Sequence, residues 1–416
     1  MINIDLLPTT KFKTTLITLR MIAPFEKKSI NSRAIIPQIL AAGTKHYKSK
    51  AGMSRRLDSL FGSQLNVYTL KIGLASVIHF SIQFPSERFL PQGVNLSKDI
   101  IKLFKEIIFE PMTIKGIFAK NLINDEIRLI RENFEAEYND KTDYAFQQFK
   151  KAMFRNELYG LRTKGDYDLL HEITSEKLWN DYLMMLKNDT IQVSVVGDFD
   201  SVKIVQLLQE ELNFSNVYHN YQWVDNESKL IEKTTKITEM NSVKQAKLMI
   251  GLRTDIRFNH PKYMSMVIFN TLLGDSDQSR LFQIIREKQH LCYYVSSTYD
   301  ANKGVIFISM GIEPSQEEKA INLAVDILDN LKNIKVDDEE INLAKQFQNK
   351  RIRQRDDSLA SLSGTDFYYR HVFQKPYSIE YVIESLSLVT ASDLLSCANS
   401  LTLDTIYTLT GKEAQE

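Results

Sequence analysis

The sequence predicts an α+β protein made of two homologous halves, each an antiparallel β-sheet packed with α-helices. A short strand that ends at a glycine, the helix that precedes it, and a helix–strand–hairpin–strand unit each occur twice, about 210–225 residues apart. A repeat with so long a period indicates a duplicated domain, because solenoid repeats are much shorter.

The strand–glycine units are residues 191–198 (IQVSVVGD) and 405–412 (TIYTLTGK). Each follows a helical pattern that opens at a threonine, Thr174 in the first half and Thr390 in the second. Threonine is a favoured N-cap, and the acidic residues that follow suit the positive end of the helix dipole. Both helices are therefore predicted to begin at these threonines.

The second repeated unit is a helix that leads into a hairpin of two strands. Its copies are residues 54–57 (SRRL) with 65–69 (LNVYT), and 279–282 (SRLF) with 291–295 (LCYYV). The second strands are predicted at 77–84 and 304–310. Apolar and polar residues alternate in 77–84, which is typical of a strand buried on one face. His79 falls on the polar side, where we expect it to be solvated.

The repeat defines two domains, 1–215 and 236–416, and the polar stretch 216–235 between them reads as a linker. In the second domain, Ser315 with Glu318 forms a predicted capping box at the start of a long helix.

Lysine plus arginine and aspartate plus glutamate both total 52, so the formal net charge is zero. This balance gives no electrostatic basis for binding nucleic acid or an anionic membrane. It also favours a partner, because a near-neutral particle is poorly soluble alone.

The chain has two cysteines, Cys292 and Cys397, which are too few for a disulfide framework or a cysteine-rich zinc site. We expect both to be idle thiols in a reducing compartment. The first residues lack the features of a signal peptide, and no stretch of about 18 apolar residues occurs. The sequence therefore predicts a cytoplasmic protein without a membrane span.

No phosphate loop, dinucleotide fingerprint or nucleophile elbow is present. None of the seven histidines lies three or four residues from another, which is the spacing that a helical metal site needs.

The segment 279–293 (SRLFQIIREKQHLCY) resembles the C-terminal half of the M16 metallopeptidases, the family of insulinase and the mitochondrial processing peptidase. The strand–glycine units and the two-half layout extend this resemblance over essentially the whole chain. It implies two α+β halves that close like a clamshell around a peptide.

Active members of that family carry an inverted zinc motif, His-x-x-Glu-His, on a helix of the first half. Two histidines four residues apart share a helix face and bind Zn²⁺, and the glutamate acts as general base. Aligned on Gly43-Thr44, the resemblance places Ala34, Pro37 and Gln38 at these three positions. None can do the same chemistry, since alanine has no donor atom and glutamine is a poor zinc ligand. The third ligand, a distant glutamate, would fall within 126–137, near Asn133.

The resemblance also implies a substrate-binding pair, Arg286 and Tyr293. In active members such an arginine and tyrosine hold the substrate backbone and stabilise the oxyanion at the scissile carbonyl. A guanidinium and a phenol can both donate to developing negative charge. The structural alternative is that Arg286 pairs with Glu287 and that Tyr293 packs in a strand.

Residues 10–15 (TKFKTT) and 140–145 (DKTDYA) resemble more narrowly a bacterial branch that lacks the zinc motif and occurs beside a zinc-bearing sister. Some of its members are tied to aminopentanol modification of elongation factor P. The resemblance implies a non-catalytic subunit with no cofactor of its own. It would pair with the sister, or with itself, to bind peptides. The alternatives are a peptide-binding or scaffold homodimer without a role in proteolysis, and a stand-alone metalloprotease with a rebuilt site.

Overall fold

The computed structural model describes residues 3–212, 221–227, 229–333 and 336–411. The strands are β1 (Asn3–Pro8), β2 (Thr14–Pro24), β3 (Gln64–Ile72), β4 (Ala75–Pro85), β5 (Thr113–Ile114), β6 (Ile117–Phe118), β7 (Thr190–Gly197), β8 (Thr235–Met240), β9 (Ala246–Arg253), β10 (Cys292–Asp300), β11 (Val305–Ile312) and β12 (Thr402–Thr410). The helices are α1 (Ile30–Ala42), α2 (Lys50–Ser59), α3 (Leu96–Phe109), α4 (Lys120–Asn139), α5 (Lys141–Met153), α6 (Ser175–Asn188), α7 (Ser201–Glu211), α8 (Tyr263–Leu273), α9 (Glu317–Asn333), α10 (Asp338–Arg355), α11 (Leu359–His371), α12 (Ile379–Ser387) and α13 (Ala391–Asn399). A π-helix spans Phe282–Lys288.

Two five-stranded sheets, each packed with helices, confirm the α+β class and the two halves. Their strand orders are β1-β7-β2-β4-β3 and β10-β11-β9-β12-β8. Both sheets were predicted to be antiparallel, but each has one parallel pair, β1 with β7 and β8 with β12. A long connection separates the strands in each of these pairs, which is what parallel pairing requires.

The described chain divides into two compact units, and each unit takes a segment from the opposite half of the sequence. Unit 1 contains 1–135, 161–223 and 357–368, and unit 2 contains 136–160, 224–356 and 369–416. The predicted domains 1–215 and 236–416 follow the repeat in the sequence and stay a prediction. Of the predicted linker, residues 216–220 and 228 lie outside the described residues.

In unit 1, the segment 357–368 covers the second face of the sheet. The first face of β2, β4 and β7 carries the apolar core, and Arg20 lies on the second face, fully buried. Its Nη2 donates to the carbonyl oxygen of Ser363 at 3.1 Å and to its Oγ at 2.8 Å. Its guanidinium lies 4.5 Å from the centroid of the Phe367 ring. Burial lowers the pKa of Arg20 to about 10, so the side chain stays charged at neutral pH.

In unit 2, α5 covers the second face of the other sheet in the same way. Phe149 and Met153 pack on β9, β11 and β12, in a cluster with Phe307. A Cβ at Gly251 would come within 2.8 Å of the Phe149 ring and 2.5 Å of the Met153 sulfur. Glycine at this position therefore lets α5 approach β9 closely.

A cluster of buried charges holds the end of the segment 136–160, just after α5, in unit 2. Glu157 accepts two hydrogen bonds from Arg253, at 2.7 and 3.2 Å, and pairs with Lys303 Nζ at 2.6 Å. Arg253 also pairs with Asp404 at 2.5 Å, and Lys303 pairs with Asp225 at 2.6 Å. Because every one of these groups has an opposite charge beside it, the cluster can stay buried.

Two local predictions are wrong. Ser315 lies inside a 3-10 turn, Pro314–Gln316, and α9 begins only at Glu317, because Pro314 starts the turn earlier. His79 does lie on the polar side of β4, but it is only 4% exposed. That side of the strand is covered, since the His79 ring stacks on Tyr68 at 4.7 Å and Arg20 is its neighbour on β2.

Acid should destabilise the protein through His79. Burial, and then the charge of Arg20, lower the pKa of His79 well below 6.5, so the folded protein keeps it neutral. The unfolded chain takes up the proton near pH 6.5, and the free energy of unfolding therefore falls as the pH drops below that value. Between pH 6.5 and 5.5 the wild type should lose about 1 kcal/mol more than His79→Phe in urea unfolding. His171→Phe, on an exposed turn, is the matched control, and equal losses in all three proteins would contradict the assignment.

Within the described residues, no single helix is long and apolar enough to cross a membrane. By length and composition alone, α12 and α13 would suffice together, although they are bent by 87°.

Candidate functional site: a degenerate zinc helix and an exposed arginine–tyrosine pair

Helix α1 is fixed to the sheet of unit 1 by a buried arginine. Arg33 pairs with Asp189 at 2.9 Å and donates from Nε to Ser76 Oγ at 2.8 Å. Its Nη2 donates to the carbonyl oxygen of Met21 at 3.1 Å. These bonds fix the rotation of α1, and so they determine where the next residues of the helix point.

The three positions that the resemblance assigned to a degenerate zinc motif lie on α1 beside β3. Ala34 and Gln38 are half-buried and lie one turn apart, and Gln38 Nε2 donates to the carbonyl oxygen of Val67 at 3.4 Å. Pro37 is buried inside the helix and has no N–H for the carbonyl of Arg33. The hydroxyl of Thr69 donates to that carbonyl at 3.0 Å in its place. The helix therefore accommodates a proline where the active enzymes need a glutamate.

These residues do not fit a zinc ion. Ala34 offers no ligand atom, and Gln38, whose Nε2 donates to a main-chain oxygen, offers only a neutral amide oxygen, which is a poor zinc ligand. Across the parts of the chain that the structure describes, no group of three or more His, Cys, Asp or Glu residues could hold a metal ion.

Helix α4 supplies the window in which the third ligand was expected. Asn133 is exposed, and Glu126 is buried at 6% exposure. Lys50 Nζ pairs with Glu126 Oε1 at 3.1 Å. A lysine ammonium from α2 thus compensates the buried carboxylate.

Arg286 lies on the π-helix of unit 2. A π-helix is a rare geometry that is frequent at functional sites. The side chain is 42% exposed, its guanidinium lies 4.7 Å from the centroid of the Phe282 ring, and its Nε is 3.8 Å from Glu287 Oε1. The expected alternative contact with Glu287 is therefore present, but it is long and at the surface, where such pairs contribute little.

Tyr293 lies at a β-bulge in β10. Cys292 pairs with Ile312 and Tyr294 pairs with Gly311, so Tyr293 is the extra residue. Bulges redirect side chains, and Tyr293 is 60% exposed rather than packed in the sheet. Its hydroxyl donates to Glu313 Oε1 at 3.3 Å, a contact that no pattern in the sequence indicated.

The π-helix packs on β10, which places Arg286 near the start of that strand. Arg286 is close enough to Cys292 for its charge to favour the thiolate. Burial nevertheless raises the pKa of the Cys292 thiol to about 11. The pair therefore consists of two hydrogen-bond donors on neighbouring elements, both open to a ligand.

Comparisons with known proteins agree with this geometry. Residues 172–347 match the family model of the peptidase M16 inactive domain. A relative from Bacillus subtilis (strain 168), called probable inactive metalloprotease YmfF, is 29% identical over 97% of this chain and 95% of its own length. A conserved protein from Enterococcus faecalis V583 superposes with a TM-score of 0.89 at 23% identity, covering 99% of this chain and 97% of that one. A peptidase M16 inactive domain from Pseudomonas fluorescens superposes with a TM-score of 0.80 at 17% identity, with the same coverage.

The duplicated α+β fold and these comparisons define a class of proteins built like M16 metalloproteases and described as inactive. Over nearly its whole length the chain is similar to inactive homologues of the M16 family, and the resemblance predicted from the sequence is confirmed.

Proposed function

We propose that the chain is the non-catalytic subunit of an M16-type zinc peptidase, which binds peptides together with a zinc-bearing sister subunit. One asymmetry supports this proposal. The zinc positions Ala34, Pro37 and Gln38 have lost their ligands, whereas Arg286 and Tyr293 remain as exposed donors.

The contacts of this pair suit a ligand-binding role. Arg286 is held by the face of a ring and by a carboxylate 3.8 Å away, and Tyr293 by one hydrogen bond of 3.3 Å. Exchanging such weak surface contacts for charge-assisted bonds to a peptide carbonyl costs little. In this role Arg286 and Tyr293 donate to the substrate backbone, and the sister subunit carries out hydrolysis.

The test mixes the purified chain with an M16 protein of the same genome that has an intact His-x-x-Glu-His motif. The mixture should cleave quenched fluorescent peptides faster than the sister alone. The double substitution Arg286→Ala with Tyr293→Phe should lower the mixture's rate by about 100-fold, the typical effect of removing an oxyanion donor.

The matched control is Arg353→Ala with Tyr381→Phe, the same two changes at exposed positions of unit 2. The control should leave the rate unchanged. An unchanged rate with the Arg286 and Tyr293 variant would refute the proposed contribution. If size-exclusion chromatography then showed only self-association, the scaffold homodimer would replace the proposal.

A further inference from the structure

A polar cavity of about 290 Å³ lies at one end of the sheet in unit 2. It forms where β9 ends and where β11 and β12 begin, since Arg253 is the register partner of both Val305 and Thr402. Hydroxyls of Thr254, Ser400 and Thr402 line it together with charged side chains.

Three cationic side chains in the wall are buried. The side chains of Arg253, Arg257 and Lys303 are 9%, 10% and 0% exposed. The carboxylates that compensate Arg253 and Lys303 do not line the cavity. These are Glu157, Asp404 and Asp225. The cavity is therefore lined by the cations of this cluster and not by their carboxylate partners.

Arg257 is the least satisfied of the three. Its Nη2 donates to the carbonyl oxygen of Glu227 at 3.3 Å and its Nη1 to that of Asp255 at 3.5 Å. Its Nε is buried and has no hydrogen-bond partner. The carboxylate of Asp255 is 3.6 Å away and its side chain is 83% exposed, so solvent screens it. A guanidinium has five N–H donors, and burying one whose only ion pair is long and screened is costly.

The backbone beside Arg257 is built for a close approach. Gly304 has φ +74°, and a Cβ there would lie 2.4 Å from the carbonyl oxygen of Thr254 and 3.1 Å from Cγ of Arg257. Only glycine fits, and its absence of a side chain lets the stem of Arg257 lie along the wall of the cavity.

We propose that this cavity binds a small oxyanion, a phosphate or carboxylate group, with Arg257 as the principal ligand. Arg253 and Lys303 supply further positive charge, and the hydroxyl of Thr402 can donate a hydrogen bond to an anion oxygen. Two acidic side chains, Glu227 and Asp255, also line the cavity, but both are exposed. The volume lies at the lower end of the range for ligand pockets, which suits a small anion.

This site is separate from the arginine–tyrosine pair. Tyr293 and Asp300 are seven residues apart on β10, about 23 Å at the rise of a strand, and Lys303 lies beyond Asp300. The proposal therefore does not depend on the proposed peptidase role.

The test is isothermal titration of the full chain with inorganic phosphate, in a buffer without other oxyanions and at constant ionic strength. Wild type should bind saturably, and Arg257→Gln should weaken binding at least 10-fold. The control Arg353→Gln removes the same charge from an exposed position on α10 and should bind as wild type does.

A second arm identifies the source of the anion. A short neutral peptide with a free C-terminal carboxylate is compared with its C-terminal amide. Binding of the free peptide alone, lost in Arg257→Gln, would assign the site to a peptide carboxylate, and binding of phosphate alone would assign it to a phosphoryl group. If neither binds at 10 mM, or if Arg257→Gln binds as wild type does, the proposal is wrong.

Should Arg257→Gln fail to fold, Lys229→Gln at the exposed rim replaces it. A several-fold loss then supports the site and no change overturns it.

Discussion

Residues 1–227, produced without the rest of the chain, should fail to form a stable unit. Unit 1 needs the segment 357–368, which belongs to the other half of the sequence. Without it, Arg20 loses its bonds to Ser363 and its contact with Phe367, and apolar side chains such as Ile22 and Val77 lose their cover. A charged group would then share an exposed face with hydrophobic residues, which favours aggregation.

The complementary piece, residues 228–416, should fail for the reciprocal reason. It lacks α5, and with it Phe149 and Met153, which cover the second face of the sheet in unit 2. It also lacks Glu157, so Arg253 and Lys303 lose a shared partner.

The two pieces produced together contain every segment and should associate into a folded protein. Circular dichroism and thermal unfolding of each piece, alone and together, measure this directly. Cooperative unfolding of either piece alone would show that the exchanged segments are dispensable.

Glu157→Ala should destabilise unit 2 strongly. The change removes one carboxylate from Arg253 and Lys303, whose side chains are 9% and 0% exposed. Breaking a buried ion pair typically costs about 3–5 kcal/mol. Because Arg253 keeps Asp404 and Lys303 keeps Asp225, we expect the lower end of that range, about 3 kcal/mol. The free energy of unfolding in urea at pH 7 should fall by that amount.

The same substitution should change the response to acid. Burial opposes ionisation of Glu157, but hydrogen bonds from Arg253 and Lys303 outweigh it and lower the pKa of this carboxyl group. Its contribution is therefore present above the unfolded pKa of about 4.3 and is lost as the pH falls below it. The variant should lose less stability than wild type on acidification below that value. Glu384→Ala, at an exposed position, is the control. A cost for Glu157→Ala as small as that of the control would contradict the role of the cluster.

Local features of the fold could be predicted from the sequence. Thr174 caps α6 and Thr390 caps α13 with a full capping box, because each cap depends only on residues within one turn. Strand β7 ends at Gly197, as its strand–glycine pattern predicted.

Apart from the Ser315 cap, which the neighbouring Pro314 displaces, the wrong or missing predictions concern contacts between distant parts of the fold. His79 is buried because Tyr68 and Arg20 lie beside it in the sheet. No periodicity in the sequence indicates that residues 357–368 pack on the sheet of unit 1. That packing depends on strands far away in the chain, whereas periodicity describes only local structure.

In the candidate site, too, residue identities could be predicted from the sequence, but contacts between elements could not. The loss of zinc ligands could be recognised from the identities of Ala34, Pro37 and Gln38 by family resemblance. The sequence did not indicate how α1 tolerates Pro37, because the compensating hydroxyl of Thr69 comes from β3. The exposure of Tyr293 depends on a bulge that only the strand register reveals.

The zinc content of the purified chain tests the central claim, a peptidase fold without its metal site, most directly. The wild type, equilibrated with Zn²⁺ and then desalted, is measured by mass spectrometry beside the variant Ala34→His with Pro37→Glu and Gln38→His. The absence of a metal site predicts far less than one equivalent of zinc in the wild type and a clear increase in the variant, whose two histidines share one face of α1. About one tightly held equivalent in the wild type, together with peptidase activity of the chain alone, would contradict it.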